Sequence, residues 1–305
     1  MNLRDLKYLI AVADTHHFGQ AAERCFVSQP TLSGQIKKLE KELGVLLFER
    51  TKRSVETTDS GEAIVAQARR VIEQADALQQ LAQSHQDPLV GALRMGIIPT
   101  LSPYLMPLIL QPLQRRCPQM KLILSEELTE TLLMRLGKHE IDAALVATPV
   151  DDPDFETMPL FEEPFWLVHP QNHPLSEKKK IIQADLDCTD LLLLAEGHCL
   201  ARQAMEVCHI HERQVRGDLA DLRAASLETL LQLVAAGFGS TLLPALALNT
   251  LSAKNKGIQA RQLQLPDTYR QISLVYRRTF PRLKALEVFA DVVLANLPDA
   301  VRALK

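Results

Sequence analysis

The 305-residue sequence predicts an α/β protein in three parts: a small N-terminal helical domain, a long linker helix and a larger C-terminal α/β domain. Three observations predict this organisation. Residues 1–58 alternate short amphipathic helices with turn residues, residues 59–88 repeat small and apolar residues at heptad spacing, and from residue 89 strand patterns alternate with helix patterns. A chain of this length exceeds the usual size of one core, so several domains are expected.

Residues 1–58 predict a winged helix-turn-helix. Apolar residues between Leu3 and Ala13 indicate a first helix, and a second, short helix runs from Phe18 to Phe26. Ser28 can cap a third helix. The buried stripe of that helix comprises Leu32, Ile36, Leu39 and Leu43. The mixture of β-branched and basic residues over 48–58 predicts a two-stranded wing beside a phosphate backbone.

The other side of the third helix, together with the wing, is polar and basic. Such side chains hydrogen-bond base edges and phosphates, so the pattern predicts binding to double-stranded DNA. Between Arg24 and Arg53, seven Lys or Arg stand against three Glu, although the whole chain has a net charge of −3. The alternative is a helical domain whose surface is merely basic. The candidate DNA-binding residues are Gln29, Pro30, Thr31, Ser33, Lys37, Arg50, Lys52 and Arg53.

Residues 59–88 predict a dimerisation helix. Asp59 and Glu62 form a candidate N-terminal capping pair, and the helix is expected to end near Asp87–Pro88. Three heptads with Ala at every second seam position make a weak coiled coil, so pairing should need further contacts. A single helix lying on its own effector domain is the alternative. The seam comprises Ile64, Ala68, Val71, Ala75, Leu78 and Ala82.

Residues 89–305 alternate strands and helices, which predicts a parallel sheet with crossover helices. We expect two lobes, with lobe I over about 89–162 and 269–305 and lobe II over about 163–268. Ligands of open parallel sheets bind at the carboxyl ends of the strands. Thr100 and Thr129 each follow one of the first two strands there.

Two of the five cysteines are candidates for redox chemistry. Cys199 follows a strand end at the expected start of a helix, beside His198, and both a helix N-terminus and an imidazolium stabilise a thiolate. Cys208 lies nine residues further on. In an intact helix the two would be about 13 Å apart, whereas a disulfide needs Cα atoms within about 7 Å, so a bridge requires local refolding. Two unconnected cysteines remain the alternative.

The composition predicts a cytoplasmic protein with no membrane contact. The N-terminus has no apolar signal core, and no run of 18 apolar residues occurs. No cofactor is indicated. His209, His211 and Glu212 cluster beside Cys208, but they lack a complete ligand spacing, so we expect an exposed helix or loop there and no metal site.

Residues 1–60 resemble the winged helix-turn-helix of LysR-type transcriptional regulators, through Ser28–Ser33, Leu39–Glu40, Leu47–Arg50 and Thr57–Gly61. The resemblance implies that Gln29, Thr31, Ser33, Lys37 and Arg50 lie at the DNA surface and that Pro30 shapes the helix start. It also implies a two-lobed effector domain like periplasmic binding proteins.

The C-terminal part is similar to peroxide-sensing members of this family, through Glu196–Leu200, Gln203–Ala204, Cys208, Ala225–Thr229 and Leu242–Ala247. The similarity implies that Cys199 is the peroxidatic and Cys208 the resolving cysteine. It further implies a peroxide pocket formed by Thr100, Thr129 and His198. Those members carry Arg two positions after the peroxidatic cysteine, where this chain has Ala201. Arg202 is turned from that position by about 100°, so its role in the pocket stays open.

The favoured hypothesis is therefore a non-enzymatic activator of oxidative-stress genes that acts as a dimer or tetramer and is switched by a disulfide. Its expected partners are DNA, hydrogen peroxide, a second copy of the chain, thiol reductants such as glutaredoxin and, by family resemblance, RNA polymerase. One alternative is a regulator that binds a small metabolite in the interlobe cleft. A thiol peroxidase or disulfide oxidoreductase is the other, although the chain has no Cys-x-x-Cys pair.

Overall fold

The computed structural model describes residues 1–50, 55–84, 88–186, 191–209, 223–250, 257–263 and 265–304. The chain forms two compact units, Met1–Gln86 and Asp87–Lys305. Each has its own apolar core.

The N-terminal unit has the expected winged helix-turn-helix. Its helices are α1 (Leu3–Thr15), α2 (Phe18–Arg24) and α3 (Gln29–Leu43), followed by antiparallel strands β1 (Phe48–Arg50) and β2 (Val55–Thr57) and by α4 (Asp59–Ser84). Leu32 and Ile36 are fully buried, which confirms the predicted stripe, whereas Leu43 at the helix end is partly exposed. Buried Glu40 fixes the wing to α3, since its carboxylate accepts from the Leu47 and Phe48 N–H groups at 3.1 and 3.3 Å.

Helix α4 is capped differently from the prediction. The Thr58 hydroxyl accepts from the Gly61 N–H at 2.9 Å and donates to the Leu46 carbonyl at 2.7 Å, so Thr58 takes the role assigned to Asp59 and Glu62. The same hydroxyl therefore caps the helix and holds its start against the segment that precedes β1. Along the seam, Ala68 is buried in the unit's core, whereas Leu78 is 69% exposed. The side chain of Leu78 is thus uncovered in a single chain.

The C-terminal unit is built on an eight-stranded mixed sheet. Its main path has the order β10 (Ile258–Gln262), β6 (Phe155–Pro170), β11 (Tyr269–Arg277), β5 (Ala143–Val146), β3 (Gly91–Ile97) and β4 (Met120–Glu126). Strands β9 (Thr241–Pro244) and β12 (Arg302–Ala303) also pair with β6. Among the described strands of this sheet, parallel pairing is confined to β3, β4 and β5. The parallel pairing predicted from the first three strands is therefore confirmed, whereas the sheet as a whole is mixed, because β6 and β11 run antiparallel to each other and to their neighbours.

The 16-residue strand β6 serves both halves of this unit. Its first part pairs with β11 and its last part with β9 and β10. Strands β7 (Leu193–Leu194) and β8 (Arg223–Ala224) form a separate parallel pair. The helices are α5 (Ser102–Arg116), α6 (Thr129–Gly137), α7 (Cys199–Val207), α8 (Leu227–Ala235) and α9 (Leu283–Ala295), with 3-10 turns at Pro174–Glu177, Gln183–Leu186 and Ala245–Thr250. Among the described helices, none combines the length and apolarity that a membrane crossing requires.

Candidate functional site

Cys199 is the first residue of α7, as predicted, and a glycine allows its approach to α6. Gly197 has φ +91°, and a Cβ there would lie 2.7 Å from Leu128 Cδ1. Only glycine adopts this backbone while letting the loop lie against Leu128, which precedes α6. Cys199 is thereby brought beside Thr129, the first residue of α6.

Arg270 is a site residue that the sequence did not reveal. Its guanidinium donates to Thr100 Oγ1 at 2.8 Å and to the Thr100 carbonyl at 3.0 Å, and it pairs with Glu163 at 2.8 Å. All three residues are buried. A charge-assisted network of this kind fixes Thr100 and presents a positive charge to the Cys199 thiol.

Burial raises the pKa of the Cys199 thiol above its ordinary value, because the charged form is desolvated. Four groups oppose this, in decreasing order: the Arg270 charge, the Leu200 N–H, the Thr129 hydroxyl and the Arg202 charge. Thr129 Oγ1 is buried and has no conventional hydrogen-bond partner among the described residues, so it is available to the sulfur. The expected thiolate-favouring pKa is therefore wrong in direction. The thiol is the resting form, and the site stabilises the thiolate as it forms.

His198 and Arg202 do not supply the positive charge at the thiol. Burial lowers the pKa of His198, so its imidazole is neutral at pH 7, and the expected imidazolium is wrong. Arg202 lies on α7 with an exposed side chain, 3.7 Å from Glu206, and contributes only weakly at Cys199. The buried cation facing the sulfur is Arg270.

Cys208 lies at the opposite end of α7, as its C-cap, and is buried and unbridged. Nine residues of helix separate the two thiols by about 13 Å along the axis. Gln183 Nε2 donates to the Val207 carbonyl at 2.8 Å, and Gln203 Nε2 donates to the Ala147 carbonyl at 2.7 Å. A Cys199–Cys208 bridge therefore requires α7 to unwind and to lose these bonds.

The raised thiol pKa predicts alkaline activation of Cys199 oxidation. Below the pKa, the thiolate fraction rises about tenfold per pH unit, so the peroxide rate constant should rise accordingly between pH 7 and pH 8.5. Stopped-flow oxidation followed by sulfenic-acid trapping measures this profile. Since His198 is already neutral, its titration does not change the oxidation rate in this pH range. A rate that is flat from pH 6 to pH 8.5 would show that the thiol is already ionised.

A cleft of about 660 Å³ opens beside α7. Its lining includes Gln203, Glu206 and His209 from the α7 segment, Thr148 after β5, and Gln271 and Ser273 from β11. The cleft accommodates a small polar molecule, which keeps the metabolite hypothesis open. Among the described residues, no three potential metal-binding side chains converge. His211 and Glu212 lie outside the described residues, as does Cys188.

Most of the predicted DNA-binding residues of α3 are exposed to solvent. Gln29, Pro30, Thr31 and Lys37 are exposed and Ser33 is half-buried. The Ser28 hydroxyl accepts from the Thr31 N–H at 3.4 Å, as expected of an N-cap, and Pro30 occupies the first turn. The side chain of Arg50 and all of Lys52 and Arg53 lie outside the described residues.

Each of the two units matches a known protein family model. Residues 3–62 match the bacterial regulatory helix-turn-helix of the lysR family, and residues 86–298 match the LysR substrate binding domain. The chain belongs to the LysR family. DNA binding through the N-terminal unit is the shared property of this regulatory family.

Full-length relatives of this LysR-family chain are also known. It is 41% identical over 305 residues to the hydrogen peroxide-inducible genes activator of Pectobacterium carotovorum, covering 100% of this chain and 99% of the relative. It is 42% identical over 297 residues to the DNA-binding transcriptional dual regulator OxyR of Escherichia coli, covering 97% and 96%. A full-length OxyR variant from Pseudomonas aeruginosa superimposes with a TM-score of 0.81 at 40% identity, covering 100% and 98%.

Proposed function

We propose that this LysR-family chain is a transcriptional activator switched by hydrogen peroxide through Cys199 and Cys208. The observation that supports it most is the placement of Cys199 at the start of α7 against Thr129 and Arg270. The similarity to peroxide-inducible activators over the full length supports the same function. A Corynebacterium glutamicum OxyR variant bound to hydrogen peroxide is similar too, at 34% identity and a TM-score of 0.66, covering 97% of this chain and 92% of that one.

The proposed reaction has two steps, an oxidation of Cys199 by peroxide and a condensation with Cys208. The Cys199 thiolate attacks one peroxide oxygen, the O–O bond breaks, and with the thiol proton the leaving hydroxide becomes water, leaving Cys199 sulfenic acid. The Cys208 thiolate then attacks the Cys199 sulfur, the S–O bond breaks and the disulfide forms. The leaving hydroxide takes up the proton lost by the Cys208 thiol and becomes a second water. Thr100, Thr129 and His198 surround the peroxide in this proposal, with Arg270 stabilising the charge that develops. A dithiol reductant such as glutaredoxin reverses the bridge by disulfide exchange.

The disulfide acts as a switch because the helix and the bridge exclude each other. Closing a loop of about ten residues is worth about 2.5 to 3 kcal/mol by the chain-entropy estimate, comparable to the stability of one marginal segment. Unwinding α7 breaks the hydrogen bond from Gln203 to Ala147 at the end of β5. The refolded segment then repositions the recognition helices across the oligomer, which changes their spacing on DNA. The same rearrangement changes the contact between the protein and RNA polymerase.

A non-reducing peptide map tests the switch directly. After a mild peroxide pulse, the peptides containing Cys199 and Cys208 should be joined, and glutaredoxin with glutathione should separate them. Isothermal titration of the reduced protein against metabolites tests the cleft-ligand function. Multiple-turnover peroxide consumption with a thiol donor tests the peroxidase function. Peroxide-treated protein with both thiols free would refute the proposed switch.

DNA recognition should separate Lys37 from Gln29. Lys37→Ala should weaken binding on all sequences and reduce the slope of log affinity against log salt by about 1, since one phosphate contact is lost. Gln29→Ala should cost about 1 to 3 kcal/mol at one base pair, as expected for a bidentate base contact. Fluorescence anisotropy on specific and random duplexes measures both. Equal losses on both duplexes for both variants would refute the assigned roles.

Self-association is expected through two apolar surfaces. One is the α4 seam, where Val71 and Leu78 are exposed. The other candidate is the edge of the sheet at β4, where Ile123 and Leu124 are each at least 40% exposed, together with exposed Leu110 on α5. Sedimentation velocity should show a dimer or tetramer, and Leu124→Asp should lower the association constant at least tenfold by placing a charge in the interface. A monomer at micromolar concentration would refute this.

A further inference from the structure

Phe26 is the most exposed large apolar side chain among the described residues. It is 96% exposed and lies between α2 and α3, two residues before Ser28 caps the recognition helix. Its neighbours Cys25 and Val27 both pack against the core of the N-terminal unit. The turn therefore directs two side chains inward and leaves the aromatic ring in water.

The backbone at Phe26 also favours a different residue. The Val27 N–H donates to the Ala22 carbonyl at 3.0 Å and the Phe26 N–H to the Glu23 carbonyl at 3.1 Å, which is a Schellman motif at the end of α2. Phe26 takes the left-handed position of that motif with φ +55°. Glycine is the usual residue there because a Cβ adds strain. Neither backbone geometry nor packing within this unit accounts for phenylalanine.

We propose that Phe26 is a specificity-determining DNA contact that packs on a thymine methyl group at the edge of the half-site. The residues that follow, Gln29 to Thr31, are exposed and belong to the proposed DNA surface of the helix-turn-helix, so the ring lies next to that surface along the chain. The thymine C5-methyl is an apolar group in the major groove, and phenylalanine is among the side chains that contact it. The inference rests on DNA binding alone and is independent of the redox switch.

The test uses the full-length chain, kept reduced, and a duplex selected by that chain from a random-sequence pool. Phe26→Gly removes the ring and suits the left-handed backbone, so its thermal midpoint should equal or exceed that of the parent. Its affinity for the selected duplex should fall about tenfold, as expected for losing a buried methyl–aromatic contact. The salt slope should stay unchanged because no phosphate contact is lost, in contrast to Lys37→Ala. Met134→Ala, an exposed apolar change in the other unit, is the control.

Uracil substitution identifies the contact. Replacing each thymine in turn by uracil removes only the methyl group, and one position should weaken the parent chain about tenfold while leaving Phe26→Gly unaffected. Unchanged affinity of Phe26→Gly would overturn the proposal, and so would a loss that no uracil position reproduces, which would place the ring on the sugar-phosphate backbone. Normal DNA binding with lost transcription would also overturn it, since the ring would then contact a protein.

Discussion

Cys199→Ser is expected to abolish the response to peroxide while leaving the reduced protein's DNA binding intact. The hydroxyl fits the start of α7, but serine is not oxidised by peroxide, so neither the sulfenic acid nor the bridge forms. Reporter transcription after a peroxide pulse should stay at the uninduced level. Footprints on the selected duplex should match those of the reduced parent chain with and without peroxide.

Two matched variants separate the steps of the response. Cys208→Ser should form the Cys199 sulfenic acid, detectable with a dione trap, but no intramolecular disulfide. Cys117→Ser changes a buried cysteine next to Pro118, so it controls for loss of a packed thiol without loss of chemistry. A Cys199→Ser protein that still induces transcription normally would place the sensor elsewhere in the chain.

Arg270→Met should produce the second large effect, on both reactivity and stability. Without the guanidinium the Cys199 thiol loses its main opposing charge, so its pKa rises further and oxidation should slow about 10²-fold. Glu163 would remain buried without its partner, which typically costs about 3 to 5 kcal/mol of unfolding free energy. Urea unfolding and stopped-flow oxidation measure the two effects separately.

The double variant Glu163→Gln with Arg270→Met distinguishes the two roles of the arginine. Neutralising Glu163 removes the uncompensated charge, and the glutamine oxygen can still accept from the Leu246 N–H that Glu163 now binds at 2.8 Å. Stability should therefore largely return while oxidation stays slow. If the oxidation rate returned together with stability, Arg270 would be a structural residue only.

The elements of the N-terminal unit were predictable because each rests on local patterns. The three helices follow from helical spacing of apolar residues and from the Ser28 cap, and the wing follows from β-branched residues on both sides of a basic turn. The α4 cap was misassigned for a non-local reason. The Thr58 hydroxyl also donates to the carbonyl of Leu46, twelve residues earlier, and this long-range contact is absent from the capping pattern of Asp59 and Glu62.

The sheet of the C-terminal unit was less predictable because strand direction depends on long-range pairing. Alternating strands and helices indicated parallel order, which holds for β3, β4 and β5. Strand β11 begins at Tyr269 and returns to pair antiparallel with β5 and β6, which end far earlier in the chain, at Val146 and Pro170. Periodicity identifies such a strand but gives no information on its partner.

By itself, the sequence determined the recognition helix, its polar face and the position of Cys199 at a helix start nine residues before Cys208. These depend on residue order over a few turns. Only the tertiary structure decided which cation faces the thiol and in which direction its pKa shifts. Arg270 binds Thr100, 170 residues away in sequence, and Glu163, 107 residues away. Burial of the sulfur raises the pKa of the Cys199 thiol by more than the Arg270 charge lowers it. Desolvation and long-range ion pairing arise from packing, which local patterns do not encode.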